Sequence, residues 1–368
     1  MSQILSGSAS KCWGGKEAPY GSGSYSAANL INMTSESLST TYSKIEEGTL
    51  LATKTRPSQE LGSVTVSGGV STILKPDFVD FAFEWTMGTK KTIVASSPGD
   101  GETTDNYDAN YDAVEYTLAP ASGASGNYLP SAALKLVRGN QNFLYNGLTV
   151  SSLSLDCTAG DFVKADINVT GQKELYSGSW GDCPSTTDTG SYRCLKAKLY
   201  YADADSDELS NFDTLNWNTC STHTYDVTRT QLTIDNGIET VPQTYCSGVY
   251  ANQPIYGQRN VSVSCEMPYS AEFETFRRAY YANENASNLS LMLTLCTKDT
   301  IDIGTVGSPN VVPKYQILVI IPNVNLDDAS ANVGGQGLIN ANFSGTALSV
   351  SDTEPIKVIV RTAKVSNS

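Results

Sequence analysis

The chain has a single histidine, His223, and a nucleophilic site that relies on imidazole would have to use it. A Ser/His/Asp or Cys/His arrangement needs the imidazole as general base for the attacking hydroxyl or thiol. His223 lies in the polar stretch 221–225, and no G-x-S-x-G motif occurs elsewhere in the chain. One isolated histidine specifies no reaction. We therefore expect His223 to be packed or solvent-facing, and we predict no catalytic residue and no enzyme.

The cysteines are the next residues that could do chemistry. No two of them form a C-x-x-C pair, the close spacing that zinc knuckles use, so we expect no metal site. Cys183 and Cys194 bracket a loop of Pro, Ser, Thr and Gly and could bridge it once the protein leaves the cell. Reduced cysteines acting as small hydrophobic side chains are favoured in a protein made in the cytosol, and the disulfide stays open. The eight cysteines are Cys12, Cys157, Cys183, Cys194, Cys220, Cys246, Cys265 and Cys296.

Two acidic clusters could bind a cation or act as paired carboxylates. Asp203, Asp205 and Asp207 begin like a calcium loop, but Glu208 stands where that loop requires Gly and Thr214 where it requires Glu. Solvated acidic loops are the better interpretation of both clusters, and weak ion binding stays open. A glycosidase carboxylate pair needs only spatial convergence, so a tailspike depolymerase is the enzymatic rival, although no β-helix rung period is visible. The second cluster is Asp100, Glu102, Asp105, Asp108 and Asp112. No P-loop and no G-x-G-x-x-G motif is present, so we predict no cofactor.

Composition indicates a β-rich chain that does not bind phosphates. Of the 368 residues 17 % are charged, against about 25 % in an ordinary globular protein, and the net charge is −14. Neutralising DNA phosphates needs clustered Lys and Arg, which an acidic chain lacks. The longest apolar run, residues 317–321, is of strand length, and no secretory signal is visible at the start. We expect a protein made in the cytosol, with no membrane span.

Most of the chain predicts short strands, and two segments predict helices. Alternation of apolar and polar residues indicates strands at 62–66, 148–155, 163–170, 261–265 and 289–295. Residues 76–87 carry Phe78, Phe81, Ala82 and Trp85 at helical spacing, after Pro76 and Asp77. A second helix is predicted from the N-cap Ser270 onward, with the stripe Phe273, Phe276 and Tyr280.

The order strand, strand, helix, strand, strand occurs twice, which indicates an internal duplication. Leu38 and Leu232 lead the two series, and the closing strand pairs are 150–155 with 165–171 and 322–326 with 339–345. We predict a mainly β fold of two related domains, 1–215 and 216–368, each with one packed helix. The segment from 172 to about 215, rich in Gly, Ser and Thr, is predicted to be an irregular linker or surface insertion. Residues 97–112 are predicted to be an acidic loop.

Several of these segments resemble the major tail tube protein of long-tailed, siphovirus-like bacteriophages. The resemblance runs from residues 16–21 (Lys-Glu-Ala-Pro-Tyr-Gly) and 31–38 through 62–66 and the Pro76-Asp77 helix start. Its most specific part is the strand pair 143–155 (Phe-Leu-Tyr-Asn-Gly-Leu-Thr-Val-Ser-Ser-Leu-Ser-Leu) and 163–171. Residues 232–237 and 257–263 resemble the same unit in the second half. The chain departs from the family's usual pattern at 97–128 and 172–220.

The resemblance implies β-sandwich or barrel domains of the tail-tube type, whose strands join those of neighbouring copies around a lumen. It implies a structural virion protein of the tail, assembled in the host cytoplasm, which stacks as rings into the conduit for DNA. Two domains per chain favour a trimeric ring with pseudo-sixfold symmetry over a hexamer. The implied partners are other copies, the tape measure protein, the tail terminator and distal tail proteins, and DNA passes without specific binding. The alternatives are a distal-tail or tail-terminator ring protein and, in a different class, a carbohydrate-binding adhesin or tailspike-like protein.

Overall fold

The structure is a computed structural model that describes 15 separate stretches of the chain; for some residues within them it describes the backbone alone. They are residues 7, 10–25, 27–46, 59–93, 111–118, 128–177, 183–185, 190–203, 224–225, 227–239, 247–282, 289–302, 311–332, 339–349 and 354–363. Within these stretches lie 23 strands and two helices, so the predicted mainly β fold class is confirmed. The elements are β1 (Lys11–Lys16), β2 (Asn29–Ile31), β3 (Met33–Glu36), β4 (Ser39–Glu46), β5 (Gln59–Ile73), α1 (Pro76–Met87), β6 (Gly88–Ile93), β7 (Tyr111–Leu118), β8 (Ala132–Arg138), β9 (Gln141–Thr158), β10 (Lys164–Gly171), β11 (Lys173–Ser177), β12 (Tyr192–Asp203), β13 (Thr224–Tyr225), β14 (Arg229–Asp235), β15 (Ile238–Glu239), β16 (Ile255–Tyr256), β17 (Asn260–Pro268), α2 (Ala271–Ala282), β18 (Leu289–Thr297), β19 (Thr300–Asp302), β20 (Val311–Pro313), β21 (Tyr315–Asn332), β22 (Asn340–Ala347) and β23 (Lys357–Ala363).

One long antiparallel sheet of eight strand positions runs through both halves of the chain. Its order is β4, β5, β10, β9, β14, β17, β22 and β21, and β3 continues β4 along the same edge of β5. Alternate residues of the strands between the two edges face an apolar core, as in β10, where Ala165, Ile167 and Val169 are buried between exposed polar residues. The sheet therefore has one apolar face and one polar face.

The two longest strands, β9 and β21, each of 18 residues, pass from the long sheet into a second layer over its apolar face. The first half of β9 pairs with β8 and β11, and the first half of β21 pairs with β18 and β23. Gly147 lies where β9 changes layers and has φ of 66°. A Cβ there would lie 2.9 Å from Gln172 Cβ, so both backbone conformation and space require glycine. The result is two β-sandwiches that share one long sheet.

The strand pairing of the first half recurs in the second half, including its irregularities. Ser151 bulges from β9 opposite β10, and Asp327 bulges from β21 opposite β22. A second irregularity recurs between β8 and β9 and between β18 and β21. These bulges align β10 with β22 along their whole lengths, so Gly171 corresponds to Ala347. The predicted correspondence of Gly171 with Gly345 is therefore wrong by two residues, an even shift that keeps every side chain on its face.

Helix α1 is enclosed on more than the predicted stripe. Phe78, Phe81 and Trp85 are buried as predicted, and Trp85 Nε1 donates to the Leu148 carbonyl at 3.0 Å. The helix also buries Phe83, whose ring lies 5.9 Å from that of Tyr116 on β7. The helix begins at Pro76 and ends at Met87, and the following residue, Gly88, caps it with φ of 90°. Sequence periodicity could not predict the second buried side because Tyr116, which packs against Phe83, lies on β7, a strand remote from the helix along the chain.

Helix α2 confirms the predicted start. Ser270 Oγ accepts from the Phe273 N–H at 3.3 Å, and Phe273 is fully buried. On the exposed side, Arg278 and Arg277 lie 3.6 Å and 3.5 Å from Glu274 carboxylate oxygens. The side chains of Phe276 and Tyr280 lie outside the described residues. Among the residues that the structure describes, no helix is long and apolar enough to cross a membrane.

The segment 172–215 differs from the predicted irregular insertion. It contains β11, which pairs with β9, and β12, which pairs with β18 of the second sandwich. Tyr192 and Cys194 of β12 are buried. Strands β7 and β6 likewise extend the second sandwich from β23. Lys, Asp and Ser interrupt the alternation of apolar and polar residues in these strands, so the sequence pattern does not predict them. Their pairing partners in the structure identify them as strands. The boundary near residue 215 stays a prediction.

Candidate assembly interface

The long sheet ends in two edges that have no further strand among the described residues. One edge is β4, whose residues are exposed except for the half-buried Thr40. The other is the stretch 325–332 of β21, which pairs with β22 on one side. An open edge offers a row of backbone donors and acceptors to another strand. These edges are the candidate site.

The chain contains its own example of how such edges join. In the middle of the long sheet, β9 of the first sandwich pairs with β14 of the second over seven residue pairs, from Arg229 opposite Thr158 to Asp235 opposite Ser152. Leu155 and Leu232 lie opposite each other and are buried on the apolar face. On the polar face, Ser154 Oγ and Thr233 Oγ1 are 3.2 Å apart. We call this contact the internal junction.

An ion pair ties the internal junction on its polar face. Arg229 donates from Nε and Nη2 to the two carboxylate oxygens of Asp156, at 3.1 and 2.7 Å. A second carboxylate, Glu266 on β17, lies 3.6 Å from Arg229 Nη1. The hydrogen bond from Arg229 lowers the pKa of Asp156, so this carboxyl stays ionised to lower pH than usual.

Asn236, at the end of β14, ties the internal junction to β9 and to helix α1. Its backbone N–H donates to the carbonyl of Ser151, the bulge residue of β9, at 2.8 Å. Its side-chain Nδ2 donates to the carbonyls of Thr86 at the end of α1 and of Val150, both at 3.0 Å. Asn236 is fully buried. Its sequence context did not indicate this role, because Asn-Gly after a strand is typical of an ordinary turn.

The β4 edge also exposes large apolar side chains. Beyond Val66, where β10 ends its pairing, β5 makes one bridge to Tyr250 at Val64, and β4 and β5 then continue as a two-stranded ribbon. Tyr42 is 58 % exposed there, Ile45 62 % and Leu61 49 %. Apolar groups clustered on an exposed edge are typical of a surface that is covered on association.

The polar face of the long sheet carries small hydroxyl and amide side chains in rows across the strands. Its acids outnumber its bases, and both bases are in ion pairs: Lys164 with Asp161 at 2.6 Å and Arg229 with Asp156 at 2.7 Å. Such a face offers phosphates little to bind. One row across seven strands is Ser71, Asp166, Ser154, Thr233, Ser262, Thr346 and Asn325.

The residues with possible chemistry are not gathered into a site among the described residues. His223, the side chain of Asp203 and the rest of both acidic clusters lie outside them, except Asp112, which is exposed on β7. Within the described part, no group of three or more His, Cys, Asp or Glu is placed to hold a metal. Cys183 and Cys194 are not joined by a disulfide. The thiol partner of Cys194 is Cys157: their hydrogen bond raises the pKa of Cys157 and lowers that of Cys194.

Comparison with known proteins bears on what these edges are for. A family model described as "Phage tail tube protein" matches residues 7–347. The chain belongs to this family. No curated protein matches the chain. Phage tail tube proteins are structural components of the virion tail, where they assemble with copies of themselves and with other tail proteins. The family resemblance, the structural role and the location in the virion, all predicted from the sequence, are confirmed.

Proposed function

We propose that this tail tube protein polymerises as stacked rings into the conduit through which phage DNA passes into the host. The observation that carries the proposal is the long sheet with two open edges. The open β4 corresponds in pairing order to β14, and the open end of β21 corresponds to the end of β9, so the strands at the edges are those that the internal junction joins. Copies can therefore join edge to edge by a contact the fold already uses, and a closed ring leaves no edge exposed.

The proposed ring contains three copies with pseudo-sixfold symmetry. Eight strand positions per chain give 24 in three copies, with internal and interchain junctions alternating around the ring. We place the two units at about 1–215 and 216–368. The alternative is a six-copy ring with the second unit as an outer decoration. The continuous sheet speaks against it, because β14, β17, β22 and β21 extend the same surface as the first unit.

The polar face of the sheet supports a lumen that lets DNA slide. The second layer and both helices cover the apolar face, which leaves the polar face to line the ring. At a strand spacing of about 4.8 Å, 24 strands parallel to the axis give a backbone diameter of about 37 Å, and tilt widens it. Small neutral groups and neutralised bases would let the duplex pass without phosphate contacts.

The proposed partners besides other copies are the tape measure protein, the tail terminator and distal tail proteins. A distal-tail or terminator ring protein would share the fold, and abundance separates the two roles: a tube protein is among the major bands of a purified virion on a gel. A carbohydrate-binding adhesin is the rival of another class. We favour the tube because the chain belongs to the tail tube family.

Electron microscopy of the purified protein tests the proposal. We expect tubes whose averaged cross-section has threefold symmetry with six similar lobes, and a mass per ring of three chains. Sixfold symmetry would disprove the trimer, and single rings that never stack would disprove the tube.

We further propose that the chain catalyses no reaction. His223→Ala should leave tube assembly unchanged when measured by sedimentation and microscopy. A hydrolytic activity that the purified protein shows and this variant loses would contradict the structural role.

A further inference from the structure

The internal junction gives a residue-level template for the contact between copies, because the strands on both sides of it have counterparts at the open edges. On one side the counterparts are fixed by the bulges: Ser151 of β9 corresponds to Asp327 of β21, so Leu153 corresponds to Ala329 and Ser154 to Ser330. The aligned positions agree in burial, since Leu153 and Ala329 are both buried on the apolar face.

On the other side the counterparts follow from a row of residues across three strands. Asn168 of β10 and Ser344 of β22 pair with the residues that directly follow the two bulges, Ser152 and Asp328. Thr170 and Thr346 come two positions after them and therefore correspond. From Thr170 the row runs through Ser67 to Ser39, and from Thr346 it runs through Ser262 to Thr233. Ser39 therefore corresponds to Thr233. The positions next to these agree as well, since Leu38 and Leu232 are both buried.

We infer that copies join with Ser39 of one chain directly opposite Ser330 of the next, as Thr233 lies opposite Ser154 within the chain. The inference rests on the proposed tube function and names the register of its interface. Thr40 then lies opposite Ala329, Thr41 opposite Asp328, and the Tyr42 N–H reaches the carbonyl of Asp327, as the Asn236 N–H reaches that of Ser151. The direction agrees, because β4 then runs antiparallel to β21 like every other neighbour in the long sheet.

The pairing stops at Ser39 because the backbone groups of Leu38 are already engaged. The Leu38 N–H donates to Glu36 Oε2 at 3.0 Å, and its carbonyl accepts from Arg138 Nη2 at 2.8 Å. Arg138 is itself held by both carboxylate oxygens of Glu36, each at 2.8 Å. This fork closes one position of the edge, a way of limiting unwanted strand addition. The proposed ladder therefore covers residues 39–42 and 327–330.

The register also accounts for two exposed tyrosines. Tyr42 takes the place of Asn236, whose side chain reaches Thr86 at the end of α1. The counterpart of Thr86 in α2 is Tyr281, because α1 and α2 are both 12 residues long and follow strands that align, with buried Phe78 corresponding to buried Phe273. Tyr42 is 58 % exposed and Tyr281 65 %. The junction brings them together and covers both.

Disulfide trapping tests the register. In an antiparallel ladder, directly opposite residues that do not exchange hydrogen bonds have Cα atoms about 4.5 Å apart, within disulfide reach. The double variant Ser39→Cys with Ser330→Cys, oxidised with diamide as tubes, should form interchain crosslinks between these two positions, identified by peptide mapping. The free chain should form none within itself, since the two residues lie on opposite edges of the long sheet. The matched control is Ser39→Cys with Ala331→Cys, which places the second thiol on the other face.

The possible outcomes distinguish a failure of the proposed register from a failure of the proposed tube function. Tubes that crosslink only in the control pair, or in neither pair, would overturn the register and leave the tube standing. Absence of tubes from the wild-type chain would overturn both. If the cysteine variants fail to fold, hydrogen exchange on wild-type protein decides: amides at 40, 42 and 329 should gain protection on assembly, and unchanged exchange there overturns the register.

Substitution of Tyr42 tests the proposed interface independently of crosslinking. Tyr42→Ala should fold normally and raise the concentration needed for assembly by about tenfold or more, since a large side chain is buried only on association. The matched control is Tyr176→Ala, at a tyrosine that is 66 % exposed on β11, away from the edge. Equal effects of the two substitutions would contradict the proposed contact of Tyr42.

Discussion

At the scale of single residues, buried polar groups hold the loops and junctions in place. Glu17 is the clearest case: it is 6 % exposed, and its carboxylate accepts from the backbone N–H groups of Gly21, Gly23 and Gly147 at 3.2, 2.7 and 2.9 Å. One side chain thereby joins the loop after β1 to the point where β9 changes layers. Both glycines of this loop have positive φ, a backbone conformation that glycine adopts without strain.

Replacing Glu17 by Ala should therefore destabilise the fold strongly. Three buried N–H groups would lose their acceptor, and we expect a loss of about 2–4 kcal/mol in the free energy of unfolding. Glu17→Gln keeps one oxygen acceptor and should lose less. Urea denaturation followed by circular dichroism measures both, with exposed Glu60→Ala as control. A midpoint for Glu17→Ala equal to that of the control would contradict this role.

The Asp156–Arg229 pair should give the internal junction a dependence on pH. Because the pKa of Asp156 is lowered in the folded chain, its stabilisation is present above the ordinary carboxyl range and is lost as pH falls through the lowered pKa. Arg229→Ala should therefore be less stable than wild type at neutral pH, by a small margin for this solvent-exposed pair. The difference should shrink at acidic pH. Denaturation midpoints at both pH values, with Asp156→Asn as the partner variant, measure it; a constant difference would exclude the ion pair as its cause.

At the scale of elements, the two helices are equivalent plugs in the two sandwiches. Phe78 and Phe273 occupy the same helical position, and both are fully buried. Phe→Ala at either position should cost about 3–5 kcal/mol in the free energy of unfolding, because the truncation leaves a cavity. Val311→Ala, at a residue that is 63 % exposed, is the control. A negligible loss at Phe273 with a full loss at Phe78 would show that the second helix does not pack like the first.

Many of the strands and both helices were predictable from the sequence, and the elements that were missed were missed for physical reasons. Strand alternation found β5, β9, β10 and β17. Periodicity reports burial by neighbours on one face, so it missed the second buried side of α1 and the strands β11 and β12. The register of the closing strands could not be fixed without the bulges at Ser151 and Asp327.

The sequence predicted an assembly interface at strand edges, but it did not predict the residues that form it. The expectation of unpaired strand edges came from the family resemblance, and it did not name which strands would be open. Tyr42 gave no signal in the sequence, because it alternates like any strand residue; only its 58 % exposure marks it. Asn236 reads as a turn residue, and its buried bonds to α1 and β9 depend on elements that are remote along the chain.

At the scale of the whole molecule, the distribution of charge matters more than its sum. The net charge of −14 says nothing about which surface DNA would meet. On the polar face of the long sheet, Lys164 and Arg229 are both paired with carboxylates, while Asp166 and Asp235 lie among hydroxyl and amide groups. A duplex inside the proposed lumen would therefore meet a surface that repels or ignores its phosphates.

Reversing one charge on that face should make the tube bind DNA. Asp166→Lys changes the charge of each chain by two units on the central row of the polar face, and each proposed ring multiplies this change by three. Phosphates would then find unpaired cations and release counterions, so affinity should fall steeply as salt rises. Phage that carry the variant should eject DNA more slowly at low salt and recover at high salt. The matched control, Glu239→Lys on the short exposed strand β15, makes the same charge change away from the polar face. Slowing in both variants would point to net charge, and slowing in neither would mean that this face does not line the lumen.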